Sequence, residues 1–320
     1  MNQNIVPPSS RSNDKPQADA AFLLSPIREP NNRGIILKQL PEALSEGFRA
    51  GVSGGAAMCA QITTFMWLHT IMRYQFRHGS GVLDTIKALY HDGGFLRFYR
   101  GYGFAIMYAP LIRGGSTASN QASLTFLESI NSDIPLWIKT LTSASCAALW
   151  KVTFTPLDMM QTTLQVGGSV GQKDVANKIK KHGLTILWHG SSALYVSALV
   201  GNFSWFAVYN SLNRSWSNHD TLKMQTLRDG SIGVLSTLTS DVSTNFLEVL
   251  KTHRQTTRNS VGYVQALSEI VGSDGLVGLV TRGLKVRLLT NCCQGAFFTI
   301  VWGKIQRRCF PLHLKPTTSE

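Results

Sequence analysis

The chain has 320 residues and a formal net charge of +13, from Lys+Arg 31 against Asp+Glu 18, yet only 15% of it is charged and 43% is hydrophobic. The basic residues are scattered singly along the chain. That argues against a nucleic-acid module, where they would crowd one face, and suits a membrane protein whose loops meet anionic lipid. The five cysteines (Cys59, Cys146, Cys292, Cys293 and Cys309) form no CxxC and stand in no metal-ligand spacing with histidine, so no metal site is expected.

In chain order, residues 1–40 are rich in Pro, Ser, Asn and Asp and read as a disordered tail. The tail has no apolar core of the secretory kind, and its acids make it a poor transit peptide. A targeting signal is therefore expected inside the chain. From Ala50 to Leu68 there is no charge, nearly the length of about 20 residues that a helix needs to cross hydrocarbon. Further candidate spans lie near 104–128, 137–160, 193–213, 229–250 and 286–305, each with one or two charged or strongly polar residues. A soluble helical protein with amphipathic helices gives the same hydropathy as a transporter with a wet interior.

Internal repetition separates the two. The string Asp92-Gly93-Gly94-Phe95-Leu96-Arg97-Phe98-Tyr99-Arg100-Gly101 returns as His182-Gly183-Leu184 through Gly190, and again as Asp274-Gly275-Leu276 through Gly283. A second feature keeps the same period of roughly ninety residues. Pro156-Leu157-Asp158-Met159-Met160-Gln161 matches Phe246-Leu247-Glu248-Val249-Leu250-Lys251 and, upstream, Thr64-Phe65-Met66-Trp67-Leu68-His69. Each copy is preceded at one offset by a pair of small residues four apart (Gly51 and Gly55, Ser143 and Ala147, Gly233 and Thr237), a spacing that lets membrane helices approach closely. Pro156 falls inside an apolar helical stretch and predicts a kink there.

A proline-x-acid-x-x-base element followed by a Gly-bounded aromatic and basic turn, three times over, resembles the mitochondrial carrier family. The resemblance covers about residues 45–310. It implies an all-α membrane protein of six transmembrane helices in three tandem repeats with pseudo-threefold symmetry, with short matrix-side helices between paired spans. The repeats are expected at 41–132, 133–220 and 221–311, followed by a tail at 312–320. The family's mechanism is alternating access to a central site closed at either end by charge networks.

Carried over residue by residue, the resemblance pairs Asp158 with Lys251, Glu248 with His69 and Met66 with Gln161 in a matrix gate, braced by Gln165 and Gln255. The Met66–Gln161 link has lost acid and base together, which is expected of two groups that touch where a lone charge is costly. Arg73 stands where the first repeat should carry its bracing glutamine. The cytoplasmic gate looks weaker, with Asn210 and Gly303 where acids are usual, so the cytoplasm-open state is expected at rest.

Five residues before the three proline positions lie Cys59, Lys151 and Asp241, and charges at that depth are expected to face a watery cavity. Either Lys151 and Asp241 pair with each other or they bind substrate. The family's even-helix contacts fall on Tyr108, Ser197 and Thr290 with Asn291, while Arg113 and Arg287 are also intramembrane. Lys151 and Arg287 favour a carboxylate, and Asp241 could hold an amino group.

The expected function is secondary transport of a small anionic or zwitterionic metabolite, a carboxylate or amino acid, across the mitochondrial inner membrane. A peroxisomal or other organelle membrane is the second address. The alternative is a carrier fold that no longer transports and serves as an adaptor or import factor. No nucleophile-base-orienter pattern or P-loop points to an enzyme, and no cofactor is expected. The expected partners are a small-molecule substrate and the lipid bilayer, with cardiolipin at matrix-side helix ends and no nucleic acid. The expected oligomeric state is a monomer.

Overall fold

The computed structural model describes the backbone of residues 33–130, 135–216 and 222–309, and most side chains between Ala56 and Val301. The chain divides into two units, Met1–Lys38 and Gln39–Glu320, and the account below concerns the second. Its described residues are helical, with no strand among them. In order they are α1 Arg33–His78, α2 Val82–Gly93, α3 Tyr102–Ile130, α4 Leu136–Thr153, α5 Thr155–His182, α6 Ser191–Ser215, α7 Leu222–Thr256, α8 Tyr263–Thr281 and α9 Leu284–Cys309. Short 3-10 helices at Phe95–Tyr99 and Leu184–Trp188 precede α3 and α6. The tail expected at 1–40 and the one at 312–320 lie almost wholly outside the described residues.

Pro156 does more than bend its helix. The α4 helix ends at Thr153, Phe154 leaves helical geometry at φ −96 and ψ 12, and α5 restarts with Pro156 at its second position. A proline is at home there, because the first turn of a helix has no use for its missing N–H. The matching positions Thr64 and Phe246 lie inside unbroken helices α1 and α7.

Six glycines with positive φ mark the three repeats in register: Gly94 and Gly101, Gly183 and Gly190, Gly275 and Gly283. The second of each pair touches the long helix of the next repeat. A Cβ on Gly101 would lie 3.1 Å from the Gln161 carbonyl oxygen, one on Gly190 2.9 Å from Lys251 Cγ, and one on Gly283 2.6 Å from Phe76. The contacts run from repeat one to two, two to three, and three back to one.

A second ring of contacts runs in the same sense. The last-turn carbonyls of a helix lack internal donors and carry the negative end of its dipole. Arg97 donates to the Gln165 and Val166 carbonyls at 2.8 Å each. Lys178, on the helical segment after the break at Gly168, donates to Gln255 O at 3.0 Å, and Arg282 donates to Arg77 O at 3.4 Å. Each repeat thus supplies a cation to a helix end of the next. Arg97 is held in turn by Asp92, and Arg282 by Asp274 at 2.7 Å.

Polar and apolar side chains are distributed inside out. Gln165, Gln255, Thr290 and Asn245 are fully buried, while Phe203 is 77% and Leu149 56% exposed. A soluble protein buries its apolar groups and leaves most polar ones in water, so the exposed apolar faces fit hydrocarbon. By length and composition, one segment among the described residues, Leu184–Ser215, is apolar enough to cross a membrane, at a mean hydropathy of 1.2. The helices α1, α5, α7 and α9 give charged groups to the interior, which lowers their mean hydropathy.

Gly283→Ala should lower the melting temperature of the purified protein in detergent. It combines a left-handed backbone, which costs roughly 1–2 kcal/mol with a Cβ, with a collision against Phe76. Gly230→Ala, inside α7 with open space around it, should leave the melting temperature unchanged or raise it. A second expectation concerns Lys178, whose ammonium is pulled from 10.5 down to about 8, chiefly by burial, with Asp174 opposing. The unfolded chain therefore binds the extra proton between those values, so stability gained from this group rises with pH across that window. Thermal unfolding of Lys178→Met from pH 8 to 10 should show less of that rise than the wild type.

Candidate functional site: the polar interior

The break before α5 directs the first turn of that helix inward and carries Asp158 into the protein, where it is 1% exposed. An isolated carboxylate there would be costly. It is met from two other helices. Arg73 of α1 reaches Asp158 Oδ1 at 3.1 Å, and Lys251 of α7 reaches Oδ2 at 3.4 Å. Gln255 donates to the same Oδ2 at 3.3 Å, and Arg73 donates to Gln165 Oε1 at 2.6 Å. Lys251 also pairs with Glu248, one turn earlier on α7, at 2.7 Å. One network therefore joins α1, α5 and α7, one long helix from each repeat.

The structure brings together Asp158, Lys251, Gln165 and Gln255 of the sequence-derived set, and it changes two pairings. Glu248 does not meet His69. Its oxygens go to Lys251 and to Ser197 Oγ, which donates at 3.0 Å, while His69 accepts from the Gln294 amide at 2.6 Å. Lys251 wins because it stands three residues away on the same helix face. Met66 does not take Gln161 as its partner either. Its sulfur accepts from Gln165 at 3.3 Å, and the buried Gln161 Oε1 has no hydrogen-bond partner among the described residues.

Arg73 is the residue that sequence reasoning undervalued. It stands in register with Gln165 and Gln255, which suggested a substituted brace, but its guanidinium supplies the cation that the Met66–Gln161 link lacks. Gln294 carried no signal in the sequence beyond lying one turn after Thr290.

In the next layer, Lys151 and Asp241 do not pair with each other. Asp241 is held by Arg287 at 3.1 Å and by the Asn291 amide at 2.6 Å. Arg287 is fixed further by Thr244 Oγ1 at 2.8 Å and Asn245 Oδ1 at 3.4 Å. Thr290 is turned back onto its own helix, donating to Val286 O at 2.6 Å.

Lys151 is half-buried, and its ammonium makes no hydrogen bond or ion pair with any described residue. Its charged surroundings are Glu248, Arg113 and Lys251. Tyr108 is half-buried in the same electrostatic environment as Asp158, Arg73 and Glu248. Arg113 is exposed. At the opposite end Asn210 is exposed, and the side chains at 302–306 lie outside the described residues.

No metal-ligand cluster occurs among the described residues. Among the described residues, the arrangement holds a layer of ion pairs next to a layer in which the Lys151 ammonium makes no hydrogen bond or ion pair. An apolar exterior around such a polar interior defines a helical membrane protein of the transporter class. The family model described as mitochondrial carrier protein matches residues 132–220, the middle repeat. The chain is also 26% identical to mitochondrial ornithine transporter 1 of Saccharomyces cerevisiae over 277 residues, 77% of this chain and 91% of that protein. Together with the threefold register, these findings support a divergent member of the mitochondrial carrier family. They point to a mitochondrial solute transporter rather than an enzyme, and to the mitochondrial inner membrane.

Asp158→Asn should leave Arg73 and Lys251 without their shared anion and destabilise the protein by roughly 3–5 kcal/mol, the scale of an uncompensated buried charge. Combining Asp158→Asn with Lys251→Gln should cost less than the sum of the two single changes, as read by unfolding in detergent.

Proposed function

We propose that the protein is a secondary transporter that moves a small anionic or zwitterionic metabolite across the mitochondrial inner membrane by alternating access. Six spans in three repeats enclose the path, and the chain works as a monomer. The observation that carries this reading is the two-layer interior. Asp158, Glu248, Lys251 and Arg73, braced by Gln165 and Gln255, form the matrix gate in its closed state, and Lys151 lies in the layer above. Arg287, Asp241, Asn291, Ser197, Tyr108 and Arg113 belong to the substrate layer. In this reading His69 and Gln161 flank the gate without carrying its charge.

The ornithine transported by the yeast relative is an amino acid with a carboxylate. Lys151 is suited to hold a carboxylate, which supports an amino acid or carboxylate substrate here. The cations that cap helix ends on the matrix side also suit cardiolipin phosphates in the surrounding bilayer.

Purified protein should melt at a higher temperature with its substrate, because a ligand of the native state raises apparent stability. A panel of carboxylates and amino acids, followed by uptake into proteoliposomes, tests the reading. Loss of uptake in both Lys151→Ala and Arg287→Ala supports the site, and unchanged uptake in both contradicts it. Absence of uptake across the panel would favour an adaptor without transport. The closed matrix gate also predicts an open opposite end. Asn210→Cys and Gly303→Cys should crosslink inefficiently without substrate.

A further inference from the structure

The C-terminal end of α1 is docked into the third repeat by a cluster that the Asp158 network does not use. Gly79, which follows α1 at φ +69, lies so close to Asp274 and Arg282 that a Cβ there would overlap both. Two residues earlier, Arg77 Nη1 lies 2.7 Å from Nδ1 of His253 and 3.0 Å from its Nε2. The same Nε2 lies 2.7 Å from Glu269 Oε2. His253 is only 4% exposed, so water does not stand in for these partners. Helices α1, α7 and α8 therefore meet at one imidazole, two residues past Lys251 and beyond the candidate span 229–250.

The protonation state of that ring follows from its partners. A guanidinium has only donors, so the nitrogen that faces it must offer a lone pair. A neutral imidazole meets both demands, with Nδ1 accepting from Arg77 and Nε2–H donating to Glu269. An imidazolium sets an N–H against the N–H of Arg77 and puts a second positive charge beside it. The charged and titratable groups around the ring are Arg77 and His78 of α1, Glu269 of α8, and Arg282 of the turn before α9. Arg282 pairs with Asp274 and donates to Arg77 O, while Lys178 of α5 bears on Arg77. Burial holds His253 below the ordinary histidine range, with Glu269 opposing and both arginines adding to it. His78 is held at about 4, chiefly by burial and then by Arg77, so it stays neutral well into the acid range. The folded chain thus takes up the His253 proton less readily than the unfolded one. The stability that this contact gives is complete above about pH 6.5 and is lost as pH falls below it.

We propose that Arg77, His253 and Glu269 form a proton-sensitive latch between the first and third repeats, closed while the imidazole is neutral and released when it takes a proton. Its role in gating rests on the transporter reading: a released latch lets the neighbouring Asp158 network open more readily in acid.

The test compares the full chain with His253→Gln, whose amide can accept from Arg77 and donate to Glu269 without titrating. The melting temperature in detergent from pH 8 to 5.5 reads the latch, whatever the protein transports. The wild type should lose a few degrees more than the variant, and equal losses overturn the latch. Should His253→Gln not fold, Arg77→Gln takes its place. Removing the guanidinium removes the clash, so that variant too should lose less than the wild type, and an equal loss overturns the latch. A membrane-impermeant maleimide on the matrix-facing side of proteoliposomes, with Gln161→Cys in a chain otherwise free of cysteine, reads the gate. Between pH 8 and 6, labelling with His253 in place should gain roughly fivefold over labelling with His253→Gln, the scale of one hydrogen bond. The same change in both chains overturns the role in gating. Absence of uptake across the panel of carboxylates and amino acids contradicts the transporter reading, and the gating role with it, while the melting result still decides the latch.

Discussion

The carboxylate of Asp158 is the group on which the interior depends. It is 1% exposed and ion-paired with Arg73 on one side and Lys251 on the other. Away from water, such a group persists only if its neighbours replace its hydration. Three helices from three repeats are held at one point for that reason. The helix break at Phe154 and Pro156 brings the carboxylate there, because it ends α4 and begins a new helix at the required place. The glycines Gly101, Gly190 and Gly283 then let the turn of each repeat lie against the long helix of the next.

The same economy explains why the molecule looks so little like a membrane protein by hydropathy. The long helices α1, α5, α7 and α9 contribute charged or amide side chains to the interior, so their average composition is mixed even where their outer faces are apolar. Leu184–Ser215 is apolar enough to cross a membrane because most of its polar groups are hydroxyls and amides rather than charges. The exposed Phe203, Leu149, Met107 and Leu289 carry the signal that averaging hides.

Much of this was legible in the sequence, and the reason lies in the period. Gly94, Gly183 and Gly275 all adopt positive φ and stand seven, seven and eight residues before their closing partners Gly101, Gly190 and Gly283. Asp158 and Lys251 were readable as a pair because the family resemblance sets the acid position of one repeat against the base position of the next, and both charges are present there. The failures share a cause. The pairing of Glu248 with His69 assumed that symmetry decides partners, whereas the Lys251 one turn away on the same helix was nearer. The choice between a Lys151–Asp241 pair and two separate groups was open in the sequence. It depended on where the Arg287 guanidinium reaches, and Thr244, Asn245 and Asp241 settle that together. Side chains of that length do not follow a repeat register.

The central claim is that the buried network is the closed door of a carrier and opens during transport. A single cysteine in place of Gln161, in a chain with its own cysteines replaced, tests this directly. A membrane-impermeant thiol reagent on the matrix-facing side should leave it unlabelled at rest and label it during exchange of substrate. Equal labelling at rest and in turnover, or protection throughout measured transport, would contradict the account.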